Sequence, residues 1–211
     1  MDERILEEAA NVFLEEGFAR AKVDEIASRA GITKQTVYAR FPSKSALFGA
    51  LASRFSGLAF RPLHVAVNSK QSPRAHLIQF ATEVTAVLRD PKSQRLFVVL
   101  AAEARSFPDL ASQTWVKGAG RLRTHLRGFF DEQIALKRMA ISNPGFAVEQ
   151  FLGLLVGPIF GRLLFERPAY FESDKHAATY IEAAVDLFLA KYLTSAGRRA
   201  CRHSIRSTAR G

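Results

Sequence analysis

The stretch Val23–Phe41, VDEIASRAGITKQTVYARF, predicts two short helices joined by a tight turn. Apolar residues at positions 23, 26, 27 and 30 follow helical spacing and form one stripe on the first helix. Gly31 supplies the permissive backbone of a sharp turn, and Thr33 is placed to cap the second helix. Small Ala27, followed by Gly31 and then apolar Val37, has the spacing of a helix-turn-helix.

The second helix is expected to bury Val37 and Phe41 and to leave its polar side chains in solvent. The exposed groups are an amide, hydroxyls, a phenol and cations, without a carboxylate, and such groups suit the major groove of DNA. With the cap and the first lysine of the following helix, the predicted DNA-binding residues are Thr33, Lys34, Gln35, Thr36, Tyr38, Arg40 and Lys44. A helical hairpin with a solvated polar face is the alternative that this pattern leaves open.

The longer run Ala30–Phe48, AGITKQTVYARFPSKSALF, resembles the DNA-binding signature of TetR-family transcriptional regulators. The resemblance rests on Gly31, Ile32, Thr33, Thr36-Val37-Tyr38, Phe41 and Lys44. It implies an N-terminal three-helix DNA-binding domain and a C-terminal helical domain for ligand binding and dimerisation. The stretch 103–110, EARSFPDL, is similar to a subgroup of the same family.

The charges of the chain agree with a polyanionic partner. The 211 residues carry a formal net charge of +10, which favours nucleic acid without naming it. All eight acidic residues of positions 1–60 lie at or before Glu25, whereas positions 27–60 hold five basic residues and no acidic one. This segregation predicts a positive face for DNA phosphates on the second helix of the turn and the residues after it.

The periodicity predicts an all-α fold, because no alternating run is long enough for a strand. Beyond a polar junction at 61–72, helices are expected at 73–89, 92–105, 108–137, 145–165 and 174–193. The apolar run at 96–100 predicts a deeply buried helix. The predicted domains are 1–48 for DNA binding, 49–194 for ligand binding and dimerisation, and 195–211 as a basic, disordered tail.

Aromatic side chains of the second domain predict an apolar pocket for a hydrophobic or amphipathic small molecule. The candidate lining residues are Phe97, Phe107, Trp115, Phe129, Phe130 and Phe151. Gly118 and Gly120 would leave space beside Trp115. An ordinary aromatic core is the alternative.

Three glycines at four-residue intervals predict a helix surface without side chains, on which a neighbouring helix packs closely. Glycine costs up to about 1 kcal/mol per helical position relative to alanine, so this arrangement needs a packing reason. The predicted dimer interface consists of Gly153, Gly157, Gly161, Ile181, Val185 and Phe188. The alternative is that these two helices only complete the hydrophobic core of a single chain.

Other functional classes receive no support from the sequence. The five histidines are dispersed, and zinc, nucleotide and nucleophile motifs are absent, so we expect no metal, no cofactor and no enzymatic activity. No uncharged run approaches the roughly 20 residues of a membrane span, so a cytoplasmic protein is expected. The resemblance implies a ligand-responsive repressor that binds a palindromic double-stranded DNA operator as a homodimer. A helical small-molecule-binding or interaction protein without specific DNA binding is the second hypothesis.

Overall fold

The computed structural model describes residues 1–59, 72–105, 108, 112, 119–164 and 170–208. Its helices are α1 (Asp2–Arg20), α2 (Val23–Arg29), α3 (Lys34–Arg40), α4 (Lys44–Ala59), α5 (Pro73–Arg89), α6 (Pro91–Glu103), α7 (Arg121–Ala135), α8 (Pro144–Leu164), α9 (Asp174–Tyr192) and α10 (Ser195–Thr208). The described residues contain no strand and a single isolated bridge, between Met139 and Leu193. The all-α prediction is therefore confirmed.

The helices form two compact units that interleave along the chain. The first unit holds α1–α4 and α6, and the second holds α5 and α7–α10. Helix α6 packs on α1 and α4, although the predicted boundary after residue 48 places it in the second domain. The boundaries of the two predicted domains stay a prediction, and all but the last residue of the predicted junction at 61–72 lies outside the described residues.

An aromatic core organises the first unit. The ring of Phe13 lies 5.6 Å from that of Phe18 and 5.0 Å from that of Phe48, measured between centroids. Gly17, with φ of 73°, breaks the helical path of α1, and a short turn continues to Arg20. Because a positive φ is accessible to glycine at little cost, this break lets Phe18 turn inward to a position 3% exposed.

A second aromatic core lies between α5, α7, α8 and α9. The ring of Phe188 packs 5.4 Å from Phe130 and 5.0 Å from Phe151, and Phe151 lies 6.2 Å from Phe80. All four side chains are at most 4% exposed. Edge-to-face and offset ring contacts of this kind stabilise cores beyond the area that they bury.

The prediction of deep burial for the run 96–100 is wrong for its described side chains. Val98 is 38% exposed, and Phe97 and Val99 are half-buried. The run is apolar around the helix, but its side chains differ in burial: Val99 contacts the core of the first unit, whereas Val98 is exposed.

The prediction of a disordered tail is wrong for residues 195–208, which form α10. Thr194 anchors the start of this helix: its hydroxyl lies 2.8 Å from the carbonyl oxygen of Lys137 and 3.0 Å from that of Arg138. The backbone N–H of Gly197 donates to the same hydroxyl at 3.1 Å. The anchor is a tertiary contact with a residue far away in sequence, so the composition of the tail did not reveal it.

Candidate nucleic-acid interface

The turn between α2 and α3 has the geometry that its sequence predicts. Gly31 adopts a φ of 61°, and the N–H of Ile32 donates to the carbonyl of Ala27 at 3.0 Å. The Thr33 hydroxyl accepts a hydrogen bond from the N–H of Thr36 at 3.2 Å, which caps α3. Such a cap stabilises a helix by about 1 kcal/mol, and α3 has only seven residues.

Helix α3 buries one face and exposes the other. Val37 is 1% exposed and anchors the helix in the core of the first unit. The exposed polar side chains, together with half-buried Thr36, form the reading face, which consists of Lys34, Gln35, Thr36, Tyr38 and Arg40. The structure thus brings together on one short helix the five residues that the sequence pattern selected from it.

Side chains of α1 and α2 also fasten the turn to α1. The guanidinium of Arg4 donates to the carbonyl oxygen of Ala30, next to the turn. Arg29 pairs with Glu15 of α1 at 2.8 Å and with Glu25 of its own helix at 2.7 Å. The hydrogen bond from Arg29 lowers the pKa of Glu15, and those from Arg29 to Glu15 and then Glu25 raise the pKa of the guanidinium.

The two cations of the reading face are also paired within the protein. The Lys34 ammonium lies 2.8 Å from a carboxylate oxygen of Asp24, and an Arg40 nitrogen lies 2.9 Å from Asp2. The hydrogen bond to Asp24 raises the pKa of Lys34. The charges that segregate along the sequence therefore come together in the fold, since α1 and α2 bring their acids to the basic residues of α3.

Lys44 occupies a different environment from the other predicted DNA-binding residues. Its ammonium donates to the carbonyl oxygens of Phe18, Ala19 and Ala21 at 2.8, 3.0 and 3.1 Å. It also lies 4.7 Å from the centroid of the Phe18 ring. An ammonium has three N–H donors, so a phosphate contact would require it to give up a carbonyl. This geometry ties the first turn of α4 to the end of α1.

The predicted dimer interface divides into an exposed part and a buried part. An added Cβ at Gly153, Gly157 or Gly161 would meet no atom of the described residues within 4 Å, and all three glycines are exposed, so we name them the glycine ridge. Two large apolar side chains that the sequence analysis missed are also exposed: Phe146 on α8 by 68% and Leu187 on α9 by 64%. A hydropathy profile does not distinguish them from core residues.

The interface prediction needs a correction at three residues of α9. The side chains of Ile181, Val185 and Phe188 are 2%, 0% and 4% exposed and belong to the core of the second unit. Helix α9 has one continuous apolar stripe, and the single chain already buries it. The outer surface of α9 carries Leu187 and polar residues such as Asp186.

The predicted pocket residues that the structure describes belong to two different units. Phe129, Phe130 and Phe151 are 2%, 0% and 0% exposed and pack in the second unit, whereas Phe97 belongs to α6 of the first unit. Phe107 and Trp115 lie outside the described residues.

A histidine pair lies beside the aromatic core of the second unit. The Nε2 atoms of His76 on α5 and His125 on α7 are 3.4 Å apart, and the His76 ring stacks on Phe129 with 4.0 Å between centroids. Burial, reinforced by His125, lowers the pKa of His76 to about 4, and burial also lowers the pKa of His125. Both imidazoles are consequently neutral at pH 7, and sequence spacing gave no signal for the pair.

No group of three or more His, Cys, Asp or Glu side chains in the described part of the chain is arranged to hold a metal ion. Residues Pro144–Arg162 of α8 have the length and apolar composition of a membrane span, a property that core helices of water-soluble proteins share.

Both the N-terminal helices and the later helices of the chain match families of known proteins. Residues 5–51 match the family described as bacterial regulatory proteins, tetR family. Residues 75–194 match the family described as AefR-like transcriptional repressor, C-terminal domain. The chain belongs to the TetR family. Its function is therefore that of a DNA-binding transcriptional regulator, and the TetR family is one of regulators rather than enzymes.

Individual relatives resemble the chain over different lengths. A Mesorhizobium loti MAFF303099 protein assigned to the family is 26% identical, with a TM-score of 0.78 over 92% of this chain and 96% of that one. The flavonoid-responsive regulator FrrA is 26% identical, with a TM-score of 0.73 over 92% and 97%. The uncharacterized HTH-type transcriptional regulator YdgC of Bacillus subtilis (strain 168) is 46% identical over 52 residues. That alignment spans 25% of this chain and 27% of YdgC.

Proposed function

We propose that this TetR-family regulator binds a pseudo-palindromic operator as a homodimer, with one α3 helix in the major groove of each half-site. The observation that carries the proposal is the reading face, because its amide, hydroxyl, phenol and cationic groups lie exposed opposite buried Val37. Groups of these kinds recognise base edges and phosphates. The Thr33 cap supports the helix that presents them.

The residues of the reading face are proposed to divide their roles. Gln35 and Arg40 contact base edges, with a contribution from Lys34, since amides and guanidinium groups pair with adenine and guanine. Thr36 and Tyr38 donate to phosphates and set the register of the helix on the duplex. The phosphate contact predicted for Lys44 stays a prediction, and it competes with the three carbonyl oxygens to which the ammonium already donates.

The dimer is proposed to form through α8 and α9. The glycine ridge has room for a close neighbour, and Phe146 and Leu187 present large apolar groups to solvent. Exposed aromatic and aliphatic anchors, and a helix surface without side chains, suit the centre of a protein–protein interface. Dimerisation places two α3 helices on one duplex, which specific affinity requires because one half-site offers few contacts.

The regulator is further proposed to be a cytoplasmic repressor that a hydrophobic or amphipathic small molecule releases from its operator. FrrA, 26% identical to this chain, is named as flavonoid-responsive, which makes aromatic amphipathic compounds the first class to test. Release requires the effector to favour the arrangement that cannot bind DNA, and a shift from 99:1 to 1:99 takes about 5.5 kcal/mol of differential affinity. No catalytic step and no cofactor enter this proposal.

The operator proposal is tested by selecting duplexes from a random pool with the full-length protein and measuring their affinity. Gln35→Ala and Arg40→Ala should each cost about 1–3 kcal/mol at the base pair that the side chain reads, with relaxed preference there. Lys175→Ala, at an exposed position of α9, is the matched control and should leave the preference unchanged. Unaltered base preference in both α3 variants would show that α3 does not read the operator.

The effector proposal is tested with the fluorescence of Trp115, the single tryptophan of the chain. A panel of flavonoids and other aromatic amphiphiles is titrated first, and each compound that quenches Trp115 is then added to the selected duplex complex. Operator release at saturation is the expected result. Compounds that quench Trp115 while DNA affinity stays constant would contradict the switch.

A further inference from the structure

The ion pairs on the reading face carry an inference about how this regulator discriminates between DNA sequences. Lys34 pairs with Asp24 of α2, and Arg40 pairs with Asp2 of α1. All four side chains are roughly half exposed, so the pairs lie at the surface that would meet DNA. The two carboxylates come from different helices, and neither is part of the predicted set of DNA contacts.

The geometry leaves both cations able to donate further hydrogen bonds. The contact with Asp24 occupies one of the three N–H donors of the Lys34 ammonium, and that with Asp2 engages one terminal nitrogen of the Arg40 guanidinium. Each ion pair can therefore persist while its cation donates to an acceptor on a base, such as guanine O6 or N7.

The same pairs disfavour contact with phosphate. A lysine or arginine attracts the DNA backbone through its full positive charge, but a carboxylate 2.8–2.9 Å away cancels most of that charge at longer range. A phosphate close to the cation would also approach the carboxylate and be repelled by it. Phosphate contacts carry no sequence information, so weakening them lowers affinity for every sequence alike.

We propose that Asp2 and Asp24 are specificity-determining residues that direct Arg40 and Lys34 toward base edges by suppressing their attraction to phosphates. Neither acts on DNA itself; each is a positioning residue that works through its cation. Repulsion built against the wrong partner is a general route to specificity. The inference rests on the proposed role of α3 in operator binding.

The test compares Asp24→Asn and Asp2→Asn with the wild-type protein on two probes: a random-sequence 30-base-pair duplex and the duplex selected by the wild type. Each variant should bind the random duplex about two- to fivefold more tightly, the range of an exposed ion pair. The dependence of log affinity on log salt should steepen by about 0.9 as one cation gains a phosphate contact. The ratio of the affinity for the selected duplex to the affinity for the random duplex should fall.

Two matched controls separate this effect from a general gain of positive charge. Glu25→Gln removes the carboxylate next to Asp24, but its partner Arg29 keeps Glu15 and lies outside the reading face. Glu7→Gln removes an exposed carboxylate from the middle of α1. Both controls should leave the salt slope and the affinity ratio unchanged. Equal changes in controls and variants would reduce the proposal to net charge and overturn it.

The remaining outcomes distinguish the inference from the function on which it rests. Lys34→Ala and Arg40→Ala should weaken binding of the selected duplex; if both are silent, the proposed DNA contacts fail. If they weaken binding but Asp24→Asn and Asp2→Asn change neither random affinity nor salt slope, this inference alone fails. Because Asp24 lies in the first turn of α2, thermal unfolding is measured for each variant, and Asp2→Asn decides the question if Asp24→Asn does not fold.

Discussion

Helices α3 and α8 are both predicted to present a surface to another macromolecule. The sequence identified the exposed side chains correctly on α3 but only in part on α8. In the seven residues of α3, Val37 is buried, as predicted, and the polar residues around it are exposed apart from half-buried Thr36. Helix α8 has 21 residues and is apolar on several sides: Phe151 and Leu155 are buried, whereas Phe146 is 68% exposed.

The difference shows that periodicity locates a surface only when polar residues mark one side of the helix. Polar groups must stay in water or find hydrogen-bond partners, so they identify the outside of α3. An apolar residue on α8 or α9 is tolerated inside or outside, since folded proteins expose much apolar area. Phe188 and Leu187 are adjacent apolar residues on α9, yet one is 4% and the other 64% exposed.

The largest expected effect tests this contrast directly on α9. Phe188→Ala should lower the free energy of unfolding by about 3–5 kcal/mol, because it removes a ring packed against Phe130 and Phe151. Leu187→Ala, one residue earlier, should change it by less than about 0.5 kcal/mol when measured on the monomer. Urea denaturation at low protein concentration gives both values. Similar losses in the two variants would remove the distinction between core and outer surface.

A second substitution tests whether the glycine ridge of α8 is an intermolecular surface. Gly157→Leu should weaken the dimer about a hundredfold, because the new side chain would fill the space proposed for the partner helix. The monomer should keep its fold, since an added Cβ at Gly157 meets no atom of the described part of the chain within 4 Å and leucine has a higher helix propensity than glycine.

Gly128→Leu on α7 is the matched control, because Gly128 is also an exposed helical glycine with open space around it. Sedimentation equilibrium should show an unchanged dimer for this variant. An intact dimer in Gly157→Leu would place the interface elsewhere.

The histidine pair provides a third test, specific to the core of the second unit. The pKa of His76 is about 4 in the fold and about 6.5 in an unfolded chain. Between these two pH values His76 is protonated in the unfolded state but neutral in the folded state. The free energy of unfolding therefore decreases as the pH falls from 6.5 to 4. The free energy of unfolding should be about 2 kcal/mol lower at pH 5 than at pH 7.

The control for this pH dependence is His76→Gln, which removes the titrating imidazole. Its free energy of unfolding should fall less between pH 7 and pH 5 than that of the wild type, measured by urea denaturation at both values. An identical decrease in the two proteins would assign the effect to other groups.

The smallest expected effect concerns Lys44, where the prediction and the geometry differ. Lys44→Ala should lower the free energy of unfolding by about 1 kcal/mol, because three carbonyl oxygens lose their ammonium partner. Lys44→Met, which keeps most of the aliphatic stem, should give a similar loss. The salt dependence of DNA binding should stay constant in both variants. A slope shallower by about one in Lys44→Ala would instead establish the predicted phosphate contact.

The amino-acid sequence alone determined the fold class, the helix-turn-helix and the composition of the reading face. These depend on local chemistry: Gly31 for a positive φ, Thr33 for a cap, and Val37 as the anchor between polar neighbours. Each signal acts over a few residues, within one or two turns of helix, where the chain has few alternatives.

The tertiary structure decided which charges meet and which apolar faces remain exposed. Arg40 pairs with Asp2, 38 positions away in sequence, and the hydroxyl of Thr194 contacts the carbonyl oxygen of Arg138, 56 positions away. Phe146 remains in solvent while Phe151, one and a half turns further along α8, is fully buried. Such outcomes depend on where other helices lie in space, because burial and ion pairing are properties of neighbours that local sequence does not specify.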